Sequence, residues 1–301
     1  MAPVRREAGA LGERRGRAVI ARTFGPTNRI VPLIGQGTWD IPESGAALTE
    51  AKRALRRGIE LGMAHIDTAE MYGNGRVEEI VADAVEGIPR EQLFLTTKVL
   101  PGNATFPGVL AACERSLHRL RTDYVDLYLL HWPSDHPLSE TMRALEQLVA
   151  DGKARAIGVS NFDLSELREA QTYLTRERLA CDQVLYHMQE RGIERELVPY
   201  CQQHNIAVVA YTPFGRGGFP SVGSTQGKTL DAIAANYGKT PRQVILNFLT
   251  REPNVFTIPK ASGVAHVEQN AASVGWRLSA EDVAALDTTF PVQYDGSLAT
   301  L

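Results

Sequence analysis

HIDTAEMYGNGRVEEIVADAVEGIPREQLFLTTKV, residues 65–99, carries the pattern from which the fold is read. A short β-rich run, HIDTA (65–69), turns through Gly73-Asn74-Gly75 into a helical stretch beginning near Arg76, and a second β-rich run, LFLTTKV (93–99), follows. Strand, helix and strand in that order predict two parallel strands joined by a right-handed crossover.

The alternation extends in both directions. Ahead of it, AVIARTF and NRIVPLIG flank Gly25-Pro26-Thr27 and predict a small hairpin. The strand candidates are LIGQGTW (33–39), HIDTA, LFLTTKV, VDLYLLHW (125–132), ARAIGVSN (154–161), CDQVLY (181–186), AVVAYT (207–212) and VFTIPK (255–260). Helical patterns such as AALTEAKRALRRGIELG and LSETMRALEQLVADG follow the strands, the latter stopping at Gly152. Eight β/α units over about 250 residues predict a (β/α)8 TIM barrel. TLDAIAANYG and SAEDVAALDT read as additional C-terminal helices, and residues 18–301 as a single barrel domain.

Composition narrows the function classes. The 301 residues are 44% hydrophobic and carry a formal net charge of −3 with no sustained basic stripe, so nucleic acid is not an expected partner. No apolar run reaches the roughly 20 residues of a membrane helix. Cys113, Cys181 and Cys201 are widely separated and show no metal-ligand spacing, which fits a reducing, cytoplasmic compartment. Residues 1–17 hold five arginines and no apolar segment after them, and read as a disordered leader rather than a targeting peptide.

A barrel of this type places its active site at the C-terminal ends of the strands. Asp67, Lys98 and His131 end the second, third and fourth strands, and Tyr72 lies on the loop behind Asp67. Singly, each has a plain structural explanation: a capping acid, a solvated lysine, a core histidine. Together they specify a proton-transfer unit. A phenol with an ordinary pKa near 10 needs a nearby ammonium to stabilise its phenolate, and a carboxylate holds that ammonium in place. The imidazole can orient a carbonyl oxygen. None of the four donates hydride, so a cofactor must.

Seven motifs in order make the chain resemble the aldo-keto reductase family: GQGTW (35–39), DTAEMYGNG (67–75), TTK (96–98), HWP (131–133), GVSNF (158–162), AYTPFG (210–215) and IPKAS (258–262). Its whole length looks most like bacterial members of the methylglyoxal-reductase type. The resemblance implies reduction of a small-molecule carbonyl, with Tyr72 as general acid, Asp67 and Lys98 supporting it, and His131 positioning the carbonyl. It implies that Ser160, Asn161 and Gln183 hold the nicotinamide carboxamide and that Tyr211 stacks on the ring. Gly37, Thr38 and Asp67 would lie near the nicotinamide ribose, with Thr212, Phe214 and Gly215 along the pyrophosphate. Trp39 and Trp132 would join Tyr72 and His131 around the substrate. A monomer is the family default.

The adenosine end departs from the family pattern IPKS…R…EN. Lys260 and Asn270 remain, but Ala261, His266 and Gln269 stand where serine, arginine and glutamate are usual. Arginine is the better phosphate fork, so the expectation is NADP(H), with NAD(H) also accepted. Two other readings stay open. One is a metal-dependent barrel hydrolase using His65, Asp67 and His131; the other is a non-catalytic regulatory or structural protein on the same scaffold. For His65 a core role is the expectation.

Overall fold

The computed structural model describes residues 20–301; the arginine-rich leader lies outside the described residues. The hairpin pairs β1 (Ala21–Thr23) antiparallel with β2 (Ile30–Pro32). The eight barrel strands are β3 (Gln36–Gly37), β4 (His65–Asp67), β5 (Phe94–Val99), β6 (Leu127–Leu130), β7 (Ile157–Ser160), β8 (Leu179–Leu185), β9 (Ala207–Tyr211) and β10 (Val255–Thr257). Each falls within its predicted segment except β8, which begins two residues before the predicted Cys181, and all pair in parallel with their sequence neighbours. Bridges from Ile34 to Thr257 and from Gly37 to Lys260 bring the last strand back to the first.

The closing strands are shorter than their sequence segments for local reasons. Gly37 runs so near β10 that a Cβ would lie 2.5 Å from the Ile258 carbonyl oxygen, and Pro259 has no N–H to extend the ladder.

The helices are α1 (Gly45–Glu60), α2 (Arg76–Val85), α3 (Phe106–Leu120), α4 (Leu138–Ala150), α5 (Leu164–Thr172), α6 (Leu197–Gln203), α7 (Thr225–Tyr237), α8 (Pro241–Leu249), α9 (Val264–Ala271) and α10 (Ala280–Thr289). The two predicted additions appear as α7 and α10. The pleat sorts side chains into two cores. Tyr128 and Leu130 of β6 join the large cluster beneath the helices, whereas Leu127 and Leu129 face the smaller cluster inside the barrel.

Two irregularities serve the site. Between the pairs Ile157↔Leu179 and Val159↔Asp182, β7 has one residue and β8 has two, so β8 carries a bulge at Ala180-Cys181. The extra residue shifts the alternation, so that Gln183 pairs with Ser160 and points inward while Asp182 pairs with Val159 and points outward. At the opposite end of the barrel, the hairpin turn inserts Phe24. Its fully buried ring packs against Phe94 at 5.1 Å and Phe256 at 4.9 Å between ring centroids.

His65 belongs to this closed end. It is fully buried, touches Phe24 and Phe94 edge-on and shares a 3.1 Å hydrogen bond with Thr96 through Nε2. Among the described residues no helix is long and apolar enough to cross a membrane. The three cysteines are buried free thiols. Because Phe24 fills the barrel floor, Phe24→Ala should lower the unfolding free energy by about 3–5 kcal/mol in chemical denaturation, leaving a void that nothing else fills.

Candidate active site

The barrel strands, from Gly37 of β3 round to Ile258 and Lys260 after β10, end around a cleft of about 400 Å3. At its floor Lys98, fully buried, places Nζ 2.5 Å from Asp67 Oδ1, 2.9 Å from the Thr68 carbonyl and 3.3 Å from the Tyr72 hydroxyl. The second carboxylate oxygen of Asp67 accepts a 2.7 Å bond from Gln183 Nε2. Thr38 binds the Asp67 carbonyl through its hydroxyl at 2.8 Å. Asp67 thus has both carboxylate oxygens engaged by protein groups. Among the described residues no group of three His, Cys, Asp or Glu side chains could hold a metal ion.

Tyr72 reaches this floor because its loop coils back. Gly73, Asn74 and Gly75 all take positive φ, at 56°, 52° and 91°, which reverses the chain before α2 begins. The phenol is nearly buried, with Trp39 edge-on at 5.0 Å and His131 at 5.8 Å. His131 stacks on Trp132 at 3.9 Å.

Electrostatics modify one expectation. Burial pushes the Tyr72 phenol above its ordinary pKa, and this outweighs the downward pull of Lys98. The lysine was expected to lower it; desolvation of a phenolate is the larger effect. Tyr72 is therefore a neutral phenol at physiological pH, as a proton donor requires. Burial acts to lower the pKa of Lys98, but Asp67 and Tyr72 more than offset it, so the ammonium stays charged. Burial and then Lys98 push His131 down to about 2, leaving a neutral imidazole.

The far wall forms a second connected set. Ser160 donates to the Gln183 carbonyl at 2.8 Å, Asn161 donates to the His131 carbonyl at 3.0 Å, and the Tyr211 hydroxyl donates to Asn161 Oδ1 at 2.7 Å. Gln183 keeps Oε1 as an acceptor. Asp40, Asn161 and Thr212 line the cleft with φ of 56°, 62° and 53°, values that cost roughly 1–3 kcal/mol each for residues with a Cβ. Such strain persists only where the surroundings hold it in place.

The cleft walls include Gly37, Thr38, Trp39, Asp67, Tyr72, His131, Trp132, Ser160, Asn161, Gln183, Tyr211, Thr212, Phe214 and Lys260, all anticipated from sequence. Gly215, Ala261, His266, Gln269 and Asn270 lie outside those walls: Gly215 on the loop after β9, the others from the end of β10 into α9, with His266 and Gln269 exposed and Asn270 buried. Sequence reasoning missed Arg216, a cation on the cleft wall whose only signal was its place between glycines in TPFGRGG. It also missed Glu78, which is fully buried under β5 and accepts from Thr97 and Arg119 at 2.6 Å each.

This geometry agrees with the comparisons with known proteins. The family model for the aldo/keto reductase family matches residues 33–289, and the chain belongs to that family. Methylglyoxal reductase YeaE of Escherichia coli K12 is 43% identical over 87% of this chain and 92% of its own. Glyoxal reductase of Bacillus subtilis is 37% identical over 85% of this chain and 88% of its own. Among solved structures, an aldo-keto reductase from Klebsiella pneumoniae in complex with NADPH superposes with a TM-score of 0.86 at 42% identity, covering 94% of this chain and all of that one.

The two buried histidines give a pH signature. Burial lowers His65 to about 4, against an ordinary 6.5. Between those values the unfolded chain binds a proton that folded His65 refuses, so stability should fall as pH drops from 6.5 to 4. By linkage His65 alone contributes roughly 3 kcal/mol to that loss, and His131 extends it further down. Urea titrations across this range should show the slope, and His65→Gln should make it shallower while leaving the His131 share.

Proposed function

We propose that the protein reduces aldehydes or ketones to alcohols by hydride transfer from NADPH, with Tyr72 as the general acid. The observation that carries this reading is the continuous chain Tyr72–Lys98–Asp67–Gln183 across the floor of a cleft whose far wall presents amides and an aromatic ring.

The walls fit a nicotinamide dinucleotide. Gln183 Oε1 and Asn161 Oδ1 are acceptors for a carboxamide N–H2, Tyr211 offers a ring face beside them, and Lys260 and Arg216 are cations for phosphate. When bound, that cofactor supplies the hydride. His131, neutral, donates a hydrogen bond to the carbonyl oxygen and polarises it. The Tyr72 hydroxyl delivers the proton to that oxygen, and Lys98 at 3.3 Å stabilises the phenolate left behind. Asp67 keeps Lys98 in place, and Gln183 keeps Asp67.

Trp39, Met71 and Trp132 make the mouth apolar, which suits small uncharged carbonyls. The named activities of the relatives support dicarbonyls such as methylglyoxal and glyoxal as first candidates. Exposed His266 and Gln269 leave 2′-phosphate recognition to Lys260 and weaker contacts, so we propose a preference for NADPH with NADH also used. We also propose a cytoplasmic monomer; buried free thiols support the compartment, and the monomer is what the family suggests. No observation favours a non-catalytic scaffold, since the tetrad is complete, and the hydrolase reading lacks its geometry because His65 is packed into the closed end.

Consumption of NADPH and NADH with methylglyoxal, glyoxal, aromatic aldehydes and aldoses tests the proposal. Tyr72→Phe should keep NADPH affinity and lose about 100- to 10,000-fold in kcat. Full turnover by Tyr72→Phe, or none by the wild type across the panel, would overturn it, and a strong NADH preference would overturn the cofactor assignment.

A further inference from the structure

Tyr72 sits beyond the sheet, and the sheet alone does not fix it. The ladder from its strand ends with Thr68 N–H on the Thr96 carbonyl at 2.9 Å and Glu70 N–H on the Lys98 carbonyl at 3.3 Å. Past that point the chain turns twice, with Tyr72 N–H on the Ala69 carbonyl at 3.1 Å and Asn74 N–H on the Met71 carbonyl at 3.2 Å. Turns this short fix their own shape but not their height over Lys98, and the left-handed residues after Tyr72 hold it from one side only.

The other side is held by Glu70. Its backbone N–H bonds the Lys98 carbonyl at 3.3 Å, and its side chain, 6% exposed, turns toward the end of β5. Oε1 accepts from the Leu100 N–H and from Asn103 Nδ2, both at 2.8 Å, while Oε2 lies 3.5 Å from Arg115. Glu70 thus ties the loop bearing the phenol to the segment immediately after the strand bearing the ammonium. Lys98 Nζ bonds the Thr68 carbonyl two residues before it, so the two loops are joined above and below the Tyr72–Lys98 contact.

We propose that Glu70 is a positioning residue for proton transfer: it sets the distance between the Tyr72 hydroxyl and the Lys98 ammonium by bridging their two loops. The proposal rests on Tyr72 being the acid. The bridge works through accepted hydrogen bonds rather than charge, because the Arg115 contact is half-exposed and worth little. The charged and titratable groups facing the phenol are Lys98, Asp67 and His131, with Tyr211 across the cleft. Only Lys98 among them pulls its pKa down by direct hydrogen bonding. A longer Tyr72–Lys98 distance must therefore slow proton delivery and move the alkaline limb of the kcat profile to higher pH.

The test compares Glu70→Ala with Glu70→Gln, using NADPH and the best carbonyl from the panel above. The alanine variant should lose roughly 10- to 100-fold in kcat, because small misplacements of a reacting group have large effects on rate. Its NADPH Kd should stay within about twofold, and its alkaline limb should move upward. The glutamine variant keeps an oxygen that accepts both N–H groups, so it should stay within about threefold of wild type with the limb in place. Asn103→Ala removes one donor and should shift kcat and limb in the same direction by less. It also serves as the deciding variant if Glu70→Ala fails to fold.

Unchanged kcat in the alanine variant would overturn the proposal. So would loss of NADPH affinity in step with kcat, or a limb that does not move, since a merely structural tie predicts these. Loss of activity in the glutamine variant equal to that in alanine would also overturn it. If Tyr72→Phe is inactive while Glu70→Ala is normal, only the bridge fails; if Tyr72→Phe is active, the acid assignment fails first.

Discussion

The interaction on which the rest depends is the ion pair between Lys98 and Asp67, with 0% and 1% of their side chains exposed. Two charges taken out of water lose several kcal/mol of hydration each, and their attraction repays this only where every remaining lone pair and proton is satisfied. The barrel meets that condition locally. The ammonium has three donors and finds a carboxylate, a carbonyl and a phenol; the carboxylate takes its second bond from Gln183. Removing one partner of such a pair leaves an uncompensated buried charge. Strand order, the inward phase of Gln183 and the return of the Tyr72 loop are all constrained by the need to complete this set.

A phenol placed above this pair acquires its properties from two opposed effects. Burial favours the neutral form, and in the proposed reduction the fixed ammonium lowers the cost of the phenolate as the proton leaves. A preorganised charge acts in this way without solvent reorganisation, which is where electrostatic catalysis has its largest effect. The neutral imidazole of His131 completes the arrangement, since a second cation at this depth would compete with Lys98.

The architecture was legible in the sequence because its periods are strong: eight apolar runs of strand length separated by amphipathic helices have few alternatives. Asp67, Lys98 and His131 were legible because they interrupt apolar strands at the ends where a parallel barrel exposes its chemistry. Tyr72 followed from its loop position. What could not be read depends on distances between segments remote in sequence. Arg216 and Glu78 look like ordinary charged residues until the loop after β9 and the contact between α2 and β5 are seen. The sign of the Tyr72 shift was missed because composition gives the neighbour, Lys98, but not the depth of burial. Phe24 looked like the end of a hairpin arm, and only closure of the barrel makes it the plug.

The bulge in β8 has a consequence of a different kind. Strand parity is binary: one residue more or less, and every side chain beyond that point changes sides. Were Ala180 and Cys181 to take two regular positions instead of a bulge, the end of β8 would turn Gln183 into the helix layer and bring Asp182 into the cleft in its place. Two acids would then share one ammonium, and one of them would have to hold a proton. The bulge in this strand therefore acts as the parity bit of the active site: straightening it with both residues kept, a change that alters no composition and leaves the fold's outline alone, would rewrite the protonation state of the floor.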